Sequence, residues 1–218
     1  GHLAHEIRNP LATIGGFAKS IVGHTTDGSR VQKNARIIYD ECIRLENILA
    51  NVLDYSKPVK PQKEPVELNK VVRDTLQQFG HVIEEPDIDV EFNLDKDLGE
   101  VLADGRMIKQ VIINLLKNSI EAVEDEEDGR IRVTTAKDGS EVVFSVTDNG
   151  PGIEEDVREK LFSPFFTTKV GGSGLGLSVT RRIVRQHGGE IGFESDVGKG
   201  TSFYVRLPRD GKEEGHEN

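Results

Sequence analysis

The sequence predicts an α+β protein in two parts: a helical hairpin, then an α/β sandwich with its helices on one face. Three observations predict it. Apolar residues recur at steps of three and four, first at Leu3, Ile7, Leu11, Ile14, Ala18 and Ile21, then at Val31, Ala35, Ile38, Cys42, Leu45, Leu49 and Val52. Each set forms the single buried stripe of a helix. Three prolines fall within Lys57–Pro65, enough to stop a helix and make a semi-rigid linker. Beyond it, helical periods mix with the alternation of half-buried strands, the pattern of a layered domain.

In chain order, the polar and turn-like Gly23–Ser29 joins the two stripes. Two helices alone cannot bury seams of this length, so a second copy is expected to complete a four-helix bundle, making the chain a homodimer. Pro10 removes a backbone donor from the first helix and is expected to loosen or bend it. The expected division is hairpin 1–57, linker 58–65, second domain 66–209 and polar tail 210–218. In the second domain, Asn69 is expected to cap a helix running to about Glu85. Ile88–Leu94 alternates like a strand with one wet face. A helix is expected from about Arg106 to Glu124, before the acidic turn Asp125–Gly129. Ile131–Ala136 and Val142–Thr147 read as a hairpin around Asp138-Gly139-Ser140. A glycine-rich stretch with proline spans Gly150–Ser173. Leu175–His187 reads as a helix ended by Gly188-Gly189. Ile191–Glu194 and Ser202–Leu207 close the chain as strands around Val197-Gly198-Lys199-Gly200. No internal repeat is present.

Composition narrows the function. The formal net charge of −10 over 218 residues argues against nucleic acid as a partner, which calls for a basic face. The sole cysteine, Cys42, excludes an internal disulfide framework and a thiolate zinc cluster. It is compatible with a reducing cytoplasm, the expected location. No apolar run approaches the ~20 residues that span a bilayer, and no signal-peptide pattern opens the chain. The chain starts four residues before His5 without a methionine. It is therefore expected to be a piece of a longer protein, with any membrane anchor in missing upstream segments.

Chemistry concentrates in a few places. His5 lies two residues from both Leu3 and Ile7, so at 100° per residue it points away from the buried stripe. Asn9, at i+4, shares its face. Glu6 is adjacent and could bond one ring nitrogen, fixing the tautomer and leaving the other nitrogen nucleophilic. A histidine beside a glutamate is by itself an ordinary surface pair, and His2, His24, His81, His187 and His216 are read as ordinary surface histidines. Downstream features change the reading for His5.

Asn114 and Asn118 share one face of a helix, and an amide oxygen is a hard ligand suited to Mg²⁺, which also holds nucleotide phosphates. Asp148 ends a strand and enters Asn149-Gly150-Pro151-Gly152. Its carboxylate can accept a hydrogen bond from an exocyclic amine such as adenine's, while Gly150 and Gly152 let backbone approach the ring. Gly171-Gly172-Ser173-Gly174-Leu175-Gly176-Leu177 runs straight into a helix, whose free N–H groups and dipole attract anions. Its spacing is neither the dinucleotide fingerprint nor a Gly-x-x-x-x-Gly-Lys loop. Between these motifs, Leu161–Lys169 carries aromatics that could anchor a flap over the nucleotide or simply pack in the core. Lys169 could neutralise phosphate charge.

With these residues in order, the chain resembles the catalytic core of a two-component sensor histidine kinase. His5–Leu11 resembles the H-box, Asn114–Ala122 the N-box, Asp148–Gly152 the G1 box, Phe162–Phe166 the F-box and Gly172–Leu177 the G2 box. Gly198-Lys199-Gly200-Thr201 resembles the last glycine motif, which adds Thr201 to the nucleotide contacts. The resemblance implies a dimerisation and phosphotransfer hairpin joined to a Bergerat-type ATP-binding domain. It implies that His5 takes the γ-phosphoryl group of ATP and passes it to an aspartate of a response-regulator receiver domain. It further implies that Glu6 serves as general base and that Asn9 positions water for regulator dephosphorylation. Asn118 is implied as the Mg²⁺ ligand and Asp148 as the adenine reader. One position departs from the family pattern: the phosphate-contacting lysine of many relatives is here Glu121. Lys169 is the substitute, with Lys117 a weaker one because it turns off the Asn114–Asn118 face.

Two rival readings carry tests. ATPases of the gyrase, chaperone or mismatch-repair kind share this nucleotide fold but place a water-activating glutamate four residues before the Mg²⁺ asparagine, where this chain has Asn114. Rapid ATP turnover without a phosphoprotein would favour them. A nucleotide-gated scaffold that docks a receiver would bind ATP tightly and transfer nothing.

Overall fold

The computed structural model describes residues 2–56, 60–78, 88–169 and 172–210, of which 2–9, 44 and 46–56 are described as helix backbone alone. The chain divides into two compact units, one of residues 1–59 with 165–175, the other of 60–164 with 176–218.

The first unit contains α1 (His2–His24) and α2 (Arg30–Ser56). Helix α1 continues through Pro10. The turn between the helices is built by its polar side chains. Ser29 caps α2, its Oγ accepting from Gln32 N at 3.1 Å. Gln32 reaches back, accepting from Gly28 N at 2.8 Å and donating to Asp27 Oδ1 at 2.8 Å and to Val22 O at 3.2 Å. This Ser-x-x-Gln pattern resembles a capping box. The two helices meet through small residues: Ala18, Ala35 and Cys42 are buried, and a Cβ on Gly15 would stand 3.3 Å from Cys42 Cβ. The larger members of the predicted stripes do not share that burial. Ile14, Ile21, Val31, Ile38 and Leu45 are 41–57% exposed in the single chain.

The second unit is built on a five-stranded sheet of order β2-β4-β5-β7-β6. Its strands are β2 (Ile88–Leu94), β4 (Gly129–Asp138), β5 (Glu141–Asp148), β6 (Glu190–Asp196) and β7 (Gly200–Pro208). Among the described residues β2 and β4 pair in parallel and the other neighbours in this sheet pair antiparallel. Alternation of burial along β5, and along β7 from Thr201 onward, gives the sheet one apolar face. Against it lie α3 (Leu68–Gln78), α4 (Gly105–Val123) and α6 (Gly176–Gln186). Leu68 and Val72, Ile112 and Leu115, and Ile183 and Val184 join Val133, Phe144, Val146 and Val205 in one core. The expected sandwich with helices on one face is the observed one. Among the described residues no helix is long and apolar enough to cross a membrane.

Several local expectations differ from the structure. Glu64–Glu67 forms β1, antiparallel to β3 (Glu100–Ala103), so the proline-rich segment read as linker enters a strand at Glu64. Pro65 is tolerated because a two-stranded sheet consists of edges. Asn69 is not a cap. It lies inside α3, where its Nδ2 donates to Asp95 O at 2.7 Å and its Oδ1 accepts from Thr135 Oγ1 at 2.7 Å, tying the helix to the sheet. The described helix ends at Gln78, and its expected continuation to Glu85 falls outside the described residues, as do His81 and the tail beyond Asp210. A single helical turn, α5 (Glu155–Arg158), lies in the stretch read as irregular. Helix α6 stops where expected: Gly189 N bonds Val184 O and Gly188 N bonds Arg185 O, with Gly188 at φ +75°, the left-handed closure for which glycine is suited.

Candidate functional site

The site grows from the end of β5. Asp148 is 5% exposed. One carboxylate oxygen, Oδ1, accepts from Gly150 N and Thr201 N, both at 3.2 Å. The other, Oδ2, accepts from the hydroxyl of Ser119 at 2.9 Å. A carboxylate held by three donors from three segments has a fixed orientation. The glycines following it have no room for side chains. A Cβ on Gly150 would come 2.7 Å from Ala122 O, and one on Gly152, at φ +78°, 2.3 Å from Asp196 O. Asn149 serves the backbone. Its Oδ1 accepts from Arg130 N at 2.6 Å and its Nδ2 donates to Asp128 O at 2.8 Å, so it locks the end of β5 to the start of β4.

Helix α4 brings up the second group. Its N-cap is Asp104, whose Oδ1 accepts from Arg106 N and Met107 N and whose Oδ2 accepts from Gln62 N at 3.0 Å. Burial pushes the Asp104 carboxyl up, but these backbone donors and the Arg106 charge outweigh it and hold it below the usual range. One helix face then presents Asn114 and, one turn on, Asn118. Asn114 Nδ2 donates to Gly176 O and to Thr180 Oγ1, both at 3.2 Å. Its amide therefore fastens α4 to the first turn of α6, where Leu177 also lies. Asn118 offers an amide oxygen, the hard donor type that Mg²⁺ accepts alongside phosphates and water. Among the described residues no cluster of three or more His, Cys, Asp or Glu gathers. The donor set fits an ion shared with a nucleotide rather than one caged by protein.

The second unit thus brings together Asp148, Gly150 and Thr201, and separately joins Asn114 to Gly176. Lys169, Gly172, Gly174 and Leu175 belong to the first unit. There Gly174 packs on backbone, a Cβ on it reaching 2.4 Å from the Phe165 carbonyl carbon. Lys169 N donates to Thr167 Oγ1 at 3.1 Å, and Gly172 N to Lys169 O at 3.3 Å. Leu175 is buried, and Gly171 lies outside the described residues. The aromatics differ in placement: Phe162 meets Phe193 in a tilted contact with ring centroids 6.1 Å apart, beside the core, while Phe165 is 60% exposed. His5, Glu6 and Asn9 lie on α1, and their side chains are outside the described residues.

His187 corrects its surface assignment. It is 1% exposed, with Nδ1–H donating to Ile183 O at 2.8 Å and Nε2 accepting from Asp104 N at 2.9 Å. It clasps the end of α6 to the cap of α4. Its place just past the helix end hides this role in sequence, because the partner is 83 residues away. Burial has the largest influence and lowers its pKa, outweighing the raising effect of the bond to Ile183 O, while Lys63 lowers it further and Asp104 raises it. A protonated ring would also point a second N–H at the Asp104 N–H. The unfolded chain takes up this proton near pH 6.5 while the folded state resists it, so stability falls as pH drops below that value. Denaturant titrations between pH 7.5 and 5.5 are expected to show this loss, at most about 1.4 kcal/mol per pH unit from one group. In His187→Gln the same titrations are expected to show a flatter profile.

Residues 1–60 match the domain family described as His Kinase A (phospho-acceptor) domain. Residues 103–211 match Histidine kinase-, DNA gyrase B-, and HSP90-like ATPase. Sensor histidine kinase ZraS of Escherichia coli (strain K12) is 38% identical over 212 residues, covering 95% of this chain and 45% of that protein. The solved structure of histidine kinase ThkA in complex with response regulator protein TrrA is 39% identical with a TM-score of 0.73, covering 96% of this chain and 60% of that one. Full-length ShkA in complex with AMPPNP is 26% identical with a TM-score of 0.76, covering 95% and 44%. The chain spans less than half the length of the curated relatives it matches. With a phospho-acceptor domain followed by an ATPase-type domain, the chain belongs to the two-component sensor histidine kinases and comprises their catalytic core.

Proposed function

We propose that this core phosphorylates His5 from ATP and passes the phosphoryl group to an aspartate on a response-regulator receiver domain. The observation that carries the reading is the rigid, buried Asp148 carboxylate with its glycine-framed backbone, in the same chain as a histidine-bearing hairpin. Asp148 accepts the exocyclic amine of adenine. Gly150, Gly152, Gly176, Leu177 and Thr201 are assigned as further nucleotide contacts, and the family resemblance adds Gly172, Gly174 and Leu175. Asn118 would hold Mg²⁺, which draws negative charge off the phosphates when bound. Asn114 orients the phosphate-facing end of α6 through its bond to Gly176.

In the transfer step a ring nitrogen of His5 attacks the γ-phosphorus, and the bond to the bridging oxygen breaks with its electrons remaining on ADP. Glu6 takes the proton from the other ring nitrogen, and Lys169 offsets charge on the moving group. Protein groups contribute placement and charge neutralisation. Asn9 positions water for the reverse duty, dephosphorylating the regulator. At Asn114 the chain carries an amide tied to Gly176 and Thr180 rather than a water-activating carboxylate, which supports transfer over hydrolysis.

The exposed apolar side chains of the hairpin support a homodimer. Val31, Ile38 and Leu45 are spaced by seven, the repeat of a helical-bundle seam. We assign the hairpin at 1–57 to dimerisation and the second unit, which takes in β1 from Glu64, to nucleotide binding. The working compartment is the cytoplasm, with any membrane attachment carried by segments outside this sequence. The test is incubation with ATP labelled at the γ-phosphate. Label that is lost in acid and kept in alkali marks a phosphoramidate and supports the reading. Rapid ATP turnover with no labelled chain overturns it.

A further inference from the structure

We propose that Ser119 is a positioning residue for base recognition, its hydroxyl aiming the Asp148 carboxylate at the 6-amino group of adenine. This rests on the nucleotide reading above and deepens it. Ser119 has no exposed surface, and it sits on the apolar side of α4 among Ile112, Leu115, Leu116 and Val123, each at 2% exposure or less. A hydroxyl placed there is costly unless it is bonded. Its bond goes to Asp148 Oδ2 at 2.9 Å. The serine hydroxyl donates and the carboxylate oxygen accepts.

Two backbone donors restrain Oδ1, and because the carboxylate is planar they also limit its rotation. Ser119 adds a restraint on the opposite oxygen, which narrows the remaining swing of Oδ2. Bond strength falls steeply as N–H···O departs from linearity, so a small swing of Oδ2 weakens an amine bond without disturbing ribose or phosphate contacts. Ser119 also follows Asn118 directly. The proposed metal ligand and the support of the base reader therefore share one rigid helix. The opposing effect is competition, because removing one donor from Oδ2 would strengthen whatever other donor it accepts. The two effects predict opposite signs.

The experiment measures Mg²⁺-dependent binding of ATP and of purine riboside triphosphate, which lacks the 6-amino group, to the whole chain. Wild type is expected to prefer ATP at least tenfold. Ser119→Ala is expected to lose about three- to tenfold in ATP affinity and less than about twofold in affinity for the analogue, so the preference narrows. Ser119→Cys, which refills the volume with a weak donor, is expected to fall between. An unchanged or widened preference in Ser119→Ala overturns the proposal, as does an equal loss for both nucleotides, the mark of a merely structural residue. A wild-type chain with no preference removes Asp148 as base reader and this proposal with it. That failure shows in the wild-type arm and is distinct from a failure confined to Ser119.

Discussion

His5→Ala is expected to reduce acid-labile labelling from γ-labelled ATP to background, a loss of at least about a thousandfold, with ATP affinity kept within about twofold. The size follows from the role. A covalent acceptor cannot be replaced by a methyl group, which has no lone pair, whereas removing one charge-neutralising group leaves residual transfer. The retained affinity follows from the architecture, since the residues proposed to hold the base, Asp148, Gly150 and Thr201, all belong to the second unit. Alanine has the highest helix propensity, so α1 is not weakened by the change. Labelling and nucleotide binding measured on the same preparation separate the outcomes. A labelled variant places the acceptor elsewhere. An unlabelled variant that has also lost ATP binding points to a damaged fold, which circular dichroism would reveal.

Much of this fold was legible because its sheet has one wet face. Ile88–Leu94 emerged at its observed bounds, and the Gly139-Ser140 hairpin was placed between the right strands, since alternation is strong wherever one face is buried. Helices α4 and α6 were legible within a residue or two from their stripes. What escaped was short or long-range. Strands β1 and β3 have four residues each, too few for a period, and Pro65 argued against a strand. Asn69 matched a cap by residue type, but the bonds to Asp95 and Thr135 that define it span 26 and 66 positions. The same limit hid His187 and Ser119. Each looks ordinary in its own stretch of sequence and acquires a role only from a partner that folding delivers. The motif around Asp148 is local, with Gly150 N two residues on, while the donors Ser119 and Thr201 lie 29 and 53 positions away.

Asp148→Asn is expected to weaken ATP binding about 10- to 100-fold while leaving the fold intact, and to shift base preference toward a ring with a carbonyl at position 6. The amide has the shape of the carboxylate, so packing is unchanged. Its polarity is not. Gly150 N and Thr201 N both donate to Oδ1, and two N–H groups would clash with an amide NH₂, so the carbonyl oxygen must take that side. The NH₂ then occupies the place of Oδ2. Ser119 adapts by turning its hydroxyl to accept instead of donate, which spares the core. The adenine amine cannot adapt: it meets another donor, losing a charge-assisted bond of about 1.5–3 kcal/mol and gaining a repulsive contact. Inosine triphosphate, with its acceptor at that position, suffers no such conflict. Titration of both nucleotides into the variant, beside a melting curve, reads the result. A uniform loss for ATP and inosine triphosphate would mean that Asp148 supports the pocket without reading the base. A ratio moved toward inosine triphosphate, at unchanged melting temperature, locates the base amine at Oδ2.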